Sequence, residues 1–189
     1  PLCLVGSEMC IRDRNRPDGR PINQVTRGDW EVNNISAIDY KNEIIYFSAK
    51  KETETENHLY SIKFNGSRLK RLTKEKGSHS SSFSPTLNYF INSYSSFTVP
   101  PKTLIREDNG KIVRILRETD KSKFDAYNLT YPQLINIFTD DGTRLNALIT
   151  YPHNFDPMKQ YPVILYNYGG PGSQFCLLYT SPSPRDTEV

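Results

Sequence analysis

Between residues 29 and 116, the chain alternates short apolar runs with turn signals. Each run has about five to eight residues, which is the usual length of a β-strand. The runs form two sets of four. The first set is Glu31–Asp39, Glu43–Lys50, His58–Phe64 and Ser67–Thr73, and the second is His79–Ser84, Asn88–Ser95, Lys102–Asp108 and Lys111–Leu116. The pattern therefore predicts eight strands in two groups.

The two sets superimpose at a fixed offset of 44 residues, which places Asn65-Gly66 on Asn109-Gly110. Asn-Gly between two strands is a strong hairpin signal, because both residue types tolerate positive φ. Four antiparallel strands that recur with a period near 44 are typical of a β-propeller blade. We predict two consecutive blades, the alternative being a chance recurrence of unrelated strands.

The pattern changes after residue 120. Residues 119–131 are polar and aperiodic, as a linker would be. The runs Gln133–Thr139 and Thr143–Tyr151 then flank Asp140-Asp141-Gly142, which predicts a further hairpin. Val163–Tyr168 is apolar and ends at glycines, as a buried parallel strand of an α/β sheet does. The simplest architecture is a propeller that leads into an α/β domain.

Both ends of the chain differ from its middle. Residues 1–14 (PLCLVGSEMCIRDR) and the string CLLYTSPSPRD near the other end resemble translations of a sequencing adapter. We therefore expect residues 1–14 and 176–189 to be foreign sequence; the alternative is a genuine N-terminal strand and a flexible tail. Cys3, Cys10 and Cys176 all lie in these ends, so they support no disulfide, zinc site or nucleophile.

Composition narrows the functional classes. The chain is 36% hydrophobic and 24% charged, with a net charge of only +3 and with basic and acidic residues interleaved. The absence of a basic stripe argues against nucleic-acid binding. No apolar run approaches the roughly 20 residues of a membrane span. No signal peptide is recognisable at the start of the chain.

Several segments together resemble the dipeptidyl peptidase IV branch of the prolyl oligopeptidase family. They include VTRGDWEV, FTDDGTRLNALITYP and YPVILYNYGGPGSQ, and the resemblance covers Val25 to Gln174. It implies an N-terminal β-propeller joined to a C-terminal α/β-hydrolase domain. We therefore expect a mixed fold, in which residues 15–120 are the last, C-terminal blades of an all-β propeller. Residues 121–175 would be the truncated start of the α/β-hydrolase (peptidase) domain.

The resemblance also implies a serine nucleophile in a Gly-x-Ser-x-Gly motif, followed by an aspartate and a histidine. That motif does not occur in this sequence, so no triad residue is assigned. The resemblance assigns Tyr168, in Tyr-Gly-Gly, as an oxyanion-hole donor. One such donor typically contributes about 10²–10³ in rate. The alternatives are a core tyrosine that only packs, or exchanged roles with Tyr166.

Other candidate residues have a structural interpretation. His58, His79 and His153 precede the expected nucleophile, whereas α/β-hydrolases place the catalytic histidine last. Asp140-Asp141-Gly142 lacks further ligands at calcium-loop spacing, so we interpret it as a turn. Lys50–Glu56 is interpreted as a solvated loop. We expect neither a metal nor a cofactor.

The leading hypothesis is a fragment of a serine exopeptidase that hydrolyses short peptides through an acyl-enzyme. The family implies dipeptidyl or tripeptidyl cleavage, a preference for proline, a homodimeric parent, and a periplasmic, secreted or cell-surface location. Without the triad, the fragment should be inactive alone. The alternative hypothesis is a binding module, namely a propeller joined to a non-catalytic α/β-hydrolase domain.

Overall fold

A computed structural model describes residues 3–8, 11–120, 122, 127 and 129–165. These residues form thirteen strands in four antiparallel sheets. The strands are β1 (Cys3–Glu8), β2 (Ile11–Asn15), β3 (Pro21–Gln24), β4 (Val32–Asp39), β5 (Ile44–Ala49), β6 (His58–Lys63), β7 (Lys70–Arg71), β8 (Ser78–Phe83), β9 (Tyr89–Ser95), β10 (Lys102–Glu107), β11 (Ile112–Glu118), β12 (Gln133–Phe138) and β13 (Arg144–Ile149). None of the described residues belongs to a helix that is long and apolar enough to cross a bilayer.

The two predicted four-stranded units are confirmed. Strands β4–β5–β6–β7 form one sheet, which we call blade one, and β8–β9–β10–β11 form a second, blade two. In both, the spatial order follows the chain, so each strand pairs with the next through a hairpin or loop. Most predicted boundaries agree with the observed ones to within two residues.

The last strand of blade one is shorter than predicted. The run Ser67–Thr73 forms a strand only over Lys70–Arg71. Two local features explain this. Arg68 has a φ of 57°, which interrupts the extended backbone. The side-chain Oγ1 of Thr73 accepts the N–H of Leu59 at 3.0 Å, in the place of a ladder carbonyl.

Three hairpins close in the same way. In each, a glycine has positive φ and donates its N–H to the carbonyl three residues earlier. The preceding Asn or Asp side chain accepts the N–H of the residue after the glycine. These hairpins are centred on Asn65-Gly66, Asn109-Gly110 and Asp141-Gly142. The expected turns are therefore present, but only the glycine has positive φ; the Asn or Asp instead contributes its side-chain oxygen.

Blade one has a buried side chain on each face of its central strand. Ile45 and Phe47 point to one side, where they pack with Val25 and with Trp30, which stacks on Phe47 at 6.1 Å. Tyr46 points to the other side, toward blade two. This alternation follows from the two-residue period of a strand. Blade one is therefore covered by the segment that precedes it and by the blade that follows it.

Blade two is covered on one face only. Phe90 packs against Tyr46, Leu59 and Leu72 of the preceding unit. The other face carries Ile91, which is 48% exposed, and every residue of β11 is exposed. Among the described residues, nothing covers this outer face.

The N-terminal sheet contains part of the sequence that we expect to be foreign. Strand β1 pairs with β2, and β2 pairs with β3. Residues 3–8 and 11–14 thus adopt the strand that the alternative interpretation expected. Geometry does not reveal the origin of a sequence, so the foreign origin of these residues stays a prediction.

The segment after blade two is confirmed in part. Strands β12 and β13 pair from Gln133↔Ile149 to Phe138↔Arg144, as the third hairpin predicts. The expected strand over Val163–Tyr168 is wrong for its described residues, 163–165, which are not in a strand and are highly exposed. A parallel strand needs neighbours on both sides, and the described residues supply none.

Candidate functional site

The residue that the sequence assigns to catalysis, Tyr168, lies outside the described residues, as do Tyr166 and the glycines that follow. Its role as an oxyanion-hole donor therefore stays a prediction. Within the described residues, the polar side chains with chemical potential gather elsewhere, at the boundary between the two blades.

We call this group the blade-boundary cluster. It contains two histidines, two arginines, two glutamates and the side chains that bind them. Its members are Glu56, His58, Arg71, Thr73, Glu75, His79, Asn92 and Arg106. They come from strands of both blades, from the β5–β6 loop, which holds Glu56, and from residues 72–77, which connect the blades.

His58 begins β6 and is fully buried. Its Nδ1 lies 3.2 Å from Thr73 Oγ1, and its Nε2 lies 3.1 Å from Glu56 Oε2. The same Nε2 lies 3.0 Å from Arg71 Nη2. One ring nitrogen therefore faces both a carboxylate and a guanidinium.

His79 is in β8 and lies against His58 in a tilted arrangement, with the ring centroids 4.9 Å apart. It also stacks on Tyr94, with the centroids 4.8 Å apart. Nε2 lies 2.9 Å from the carbonyl oxygen of Glu75, and Nδ1 lies 3.2 Å from Asn92 Oδ1. Both partner atoms are hydrogen-bond acceptors.

Arg106 of β10 completes the cluster on the side of blade two. Its Nη2 donates to Glu75 Oε2 at 2.7 Å, and its Nε donates to Asn92 Oδ1 at 3.1 Å. A third bond runs from Nη1 to the carbonyl of Gly110 at 3.0 Å. The buried guanidinium is thus matched by a carboxylate and two neutral oxygens, as a buried charge requires.

Asn57 and Glu56 join the blades directly. The carbonyl of Asn57 accepts the N–H of His79 at 2.7 Å, and Asn57 Nδ2 donates to the His79 carbonyl at 2.9 Å. Glu56 Oε1 accepts the N–H of Gly77 at 3.1 Å. These bonds fix the connecting segment and the start of β8 against the loop that precedes β6.

Burial dominates the electrostatics of the two histidines. It lowers the pKa of His58 and the pKa of His79, because a charged imidazole loses its hydration there. Burial alone would raise the pKa of Glu75, but the hydrogen bond from Arg106, a backbone hydrogen bond and the positive charge of Arg106 together outweigh it, so that this pKa is lowered. Desolvation also raises the pKa of Tyr46 to about 12, so this phenol stays neutral.

The blade-boundary cluster has the features of a polar contact that joins two blades, and not those of a catalytic centre. Among the described residues, neither histidine contacts a serine or cysteine that it could activate. No group of three or more potential metal ligands occurs in the described part of the chain. The arrangement can bind two blades together, and its charge state can change with pH.

Sequence reasoning found part of this cluster. His58 and His79 were expected to be structural, and both are buried between strands, whereas His153 is exposed in the loop after β13. The interpretation of Lys50–Glu56 as a solvated loop was wrong at both ends. Lys50 Nζ binds Glu31 at 2.7 Å, and Glu56 bridges His58 and Gly77. Charge-rich composition concealed these contacts, of which those to Glu31 and Gly77 join residues about 20 positions apart.

The same end of blade one also meets the last hairpin. Glu54, in the loop between β5 and β6, accepts a hydrogen bond from Asn146 Nδ2 of β13 at 2.7 Å. Glu56, which belongs to the blade-boundary cluster, lies in the same loop, two residues after Glu54. The cluster and the hairpin β12–β13 are therefore linked through one short loop.

Comparison with known proteins connects this architecture to a family. The family of the dipeptidyl peptidase IV (DPP IV) N-terminal region matches residues 9–101. The probable dipeptidyl-aminopeptidase B of Penicillium rubens is 37% identical over 156 residues, which are 79% of this chain and 17% of that protein. Dipeptidyl peptidase 4 of Arthroderma otae is 34% identical over 162 residues, which are 83% of this chain and 21% of that protein.

A solved structure agrees. The crystal structure of Porphyromonas gingivalis dipeptidyl peptidase 4 superimposes with a TM-score of 0.82 and 28% sequence identity. The match covers 88% of this chain and 24% of that one, so the chain spans about a sixth to a quarter of the length of these proteins. The blades thus correspond to the propeller region of a dipeptidyl peptidase. The chain therefore belongs to the dipeptidyl peptidase IV family, of which it carries part of the N-terminal β-propeller region.

Proposed function

We propose that the longer protein to which this chain belongs is a serine exopeptidase of the dipeptidyl peptidase type. The observation that carries the proposal is the extent of the similarity. The family's N-terminal region accounts for residues 9–101, whereas the match to Arthroderma otae dipeptidyl peptidase 4 runs over 162 residues. The likeness therefore continues beyond the blades, which favours an enzyme over an isolated binding propeller.

In this proposal, the blades belong to a propeller that covers the active site of the catalytic domain and narrows the access of substrates to it. Residues 15–120 are the C-terminal blades of the propeller, and residues 121–175 begin the α/β-hydrolase domain. The contact between Glu54 and Asn146 supports this order, because it joins a blade loop to the first hairpin after the linker. Such restricted access admits short or unstructured peptides to the active site and excludes folded proteins.

The chemistry proposed for the longer protein is acyl transfer. A serine hydroxyl attacks the peptide carbonyl, the amine leaves, and water then hydrolyses the acyl-enzyme. Tyr168 donates its phenolic O–H to the oxygen that becomes negative in the tetrahedral intermediate. The motif Tyr168-Gly169-Gly170 supports this role, because two glycines after the tyrosine permit a tight turn of the main chain.

The experiment is the substitution Tyr168→Phe in the longer protein, with turnover of a Gly-Pro chromogenic substrate as the measurement. We expect kcat to fall by about 10²–10³ with KM nearly unchanged, since the lost bond forms mainly in the transition state. Tyr166→Phe is the matched control and should retain activity. A Tyr168→Phe enzyme within about threefold of the wild type would show that Tyr168 only packs.

The serine itself has a separate test. The reading frame downstream of residue 175 should encode Gly-x-Ser-x-Gly, and substitution of that serine by alanine should abolish turnover. A longer protein without this motif would instead be a binding module.

A further inference from the structure

The blade-boundary cluster has no part in the proposed peptidase chemistry, yet it places two ionisable rings in contact inside the protein. His58 and His79 are both buried, and their tilted rings lie with the centroids 4.9 Å apart. Histidine is the side chain whose ordinary titration lies closest to neutral pH. A buried pair of histidines in close contact is therefore sensitive to mild acid.

The charges around the pair are balanced while both rings are neutral. His58 faces Glu56 from the β5–β6 loop, Arg71 from β7 and His79 from β8. His79 faces Glu75 from the connecting segment, Arg106 from β10 and Tyr94 from β9. The two carboxylates offset the two guanidinium groups. A proton added to each ring would leave two uncompensated positive charges within the same buried volume.

Hydrogen bonding shows which contacts depend on the charge state. Nε2 of His58 cannot donate to Glu56 and accept from Arg71 with the same atom. In His79, both nitrogens face acceptors, so that a neutral ring satisfies one of them and a charged ring satisfies both. His79 thus gains a hydrogen bond when it takes up a proton. Protonation of His58, in contrast, places a positive charge on the ring next to the Arg71 guanidinium. Protonation therefore redistributes the bonds that join the blades.

The cluster also holds the segment that connects the two blades. Glu56 binds the N–H of Gly77, and Asn57 pairs with the backbone of His79 on both sides. Two residues before Glu56, Glu54 contacts the hairpin β12–β13 through Asn146. A change at the pair can therefore reach both the next blade and the segment that follows the propeller.

We propose that the His58–His79 pair is an acid-sensitive fastening between blade one and blade two. With both rings neutral, the cluster fixes the two blades and the loop of residues 50–57 in the observed arrangement. Uptake of protons loosens the boundary and releases that loop. The inference rests on the blade geometry and stands independently of the proposed peptidase activity.

The direction of the pH dependence follows from linkage. Burial lowers the pKa of each ring in the folded state, so the unfolded or opened state binds more protons. The contribution of the neutral pair is then complete above the ordinary histidine pKa of about 6.5 and is lost as the pH falls below it. Acid should open this boundary, whereas alkali should leave it closed.

Hydrogen–deuterium exchange of the full-length protein tests the proposal without reference to activity. Peptides that span residues 56–60 and 77–82 should lose protection between pH 7.5 and pH 5.0, after correction for the chemical exchange rate. We expect a loss of about tenfold relative to residues 44–49 of the same blade. Equal pH responses in the two regions would overturn the proposal.

Substitutions then assign the effect to the pair. In His58→Gln/His79→Gln, the extra acid-induced exchange should disappear, because the amides do not titrate. His153→Gln is the matched control and should keep the full response, since His153 is exposed and remote in sequence. The single variant His79→Gln, which retains one ring, should show a smaller response and serves if the double variant does not fold. An unchanged response in the folded variant would refute the proposal.

Discussion

Blade one and blade two share their strand order and their inward- and outward-facing pattern, but they differ in burial. Phe47 of β5 and Ile91 of β9 occupy equivalent positions, 44 residues apart. Phe47 is 1% exposed, whereas Ile91 is 48% exposed. On the opposite face, the equivalent Tyr46 and Phe90 are both buried. An identical pattern thus gives a buried or an open face according to the neighbour that is present, not according to the strand itself.

The two faces of blade one also differ in chemistry. Toward the N-terminal sheet, the contact is apolar and aromatic, with Trp30, Phe47 and Tyr60 stacked in sequence. Toward blade two, apolar residues occupy one part and the blade-boundary cluster occupies another. Apolar contact is insensitive to pH, but a cluster of buried charges is not. The two boundaries of a single blade should therefore respond differently to the same change in solution.

The largest expected effect concerns the equivalent pair Phe47 and Ile91. In this chain, Phe47→Ala should lower the free energy of unfolding by about 3–5 kcal/mol, because it leaves a cavity between aromatic rings. Ile91→Ala should cost less than about 1 kcal/mol, because half of its side chain is in water. Urea titration followed by the fluorescence of Trp30, the sole tryptophan of the sequence, measures both.

The same pair of substitutions sharpens the comparison in the longer protein. If another part of that protein covers the outer face of blade two, the cost of Ile91→Ala should rise to about 2–4 kcal/mol. Equal costs for the two substitutions in the present chain would contradict the open face described above.

The next effect concerns two glycines with similar backbone and different surroundings. Gly110 and Gly142 have φ values of 92° and 83°. A Cβ on Gly110 would overlap the carbonyl oxygen of Leu72, whereas a Cβ on Gly142 would meet nothing within 4 Å. Gly142→Ala should cost about 1–2 kcal/mol from backbone strain alone. Gly110→Ala should cost clearly more, because blade two must also move away from blade one.

Thermal unfolding of the two alanine variants gives this difference directly. If both variants lose the same stability, the contact between Gly110 and Leu72 has no energetic consequence and only the positive φ matters.

The smallest effect concerns the side chain that closes the last hairpin. Hydrogen bonds from Thr139 and Thr143 lower the pKa of Asp141 to about 2. Because its pKa is lowered in the folded state, the ionised carboxylate stabilises the hairpin at pH values above the ordinary carboxyl pKa of about 3.9. This stabilisation is lost as the pH falls toward 2. Asp141→Asn should abolish this pH dependence yet keep the turn, as Asn65 and Asn109 do in the other hairpins. Carboxyl chemical shifts followed by NMR would show it; an Asp141 that titrates at the ordinary pH would contradict the contacts.

The sequence was sufficient to predict the local structure of the blades. The recurrence of Asn-Gly at residues 65 and 109 and the alternation of apolar residues located eight strands, because hairpins and strand faces depend on neighbours in sequence. It was less successful for the last strand of blade one, where Thr73 replaces a main-chain acceptor by its side chain. Strand propensities do not predict that a side-chain oxygen takes the place of a main-chain carbonyl.

The blade-boundary cluster lay largely beyond prediction. Arg106 and Glu75 are 31 residues apart and meet only because two blades stack. The histidines were recognised as structural from their order in the chain, but their contact with each other required the blade geometry. The assignment of Tyr168 came from a motif and not from packing, and it stays a prediction.

The hairpin glycines have a consequence for the spacing of successive units. Gly66 and Gly110 each bring a hairpin tip against the main chain of the preceding unit, at Val25 and Leu72 respectively. A Cβ at either position would meet that main chain at once, so the separation of neighbouring units is limited by backbone and not by side chains. Two residues without side chains therefore let each blade lie closer to the unit before it than any other residue type would allow.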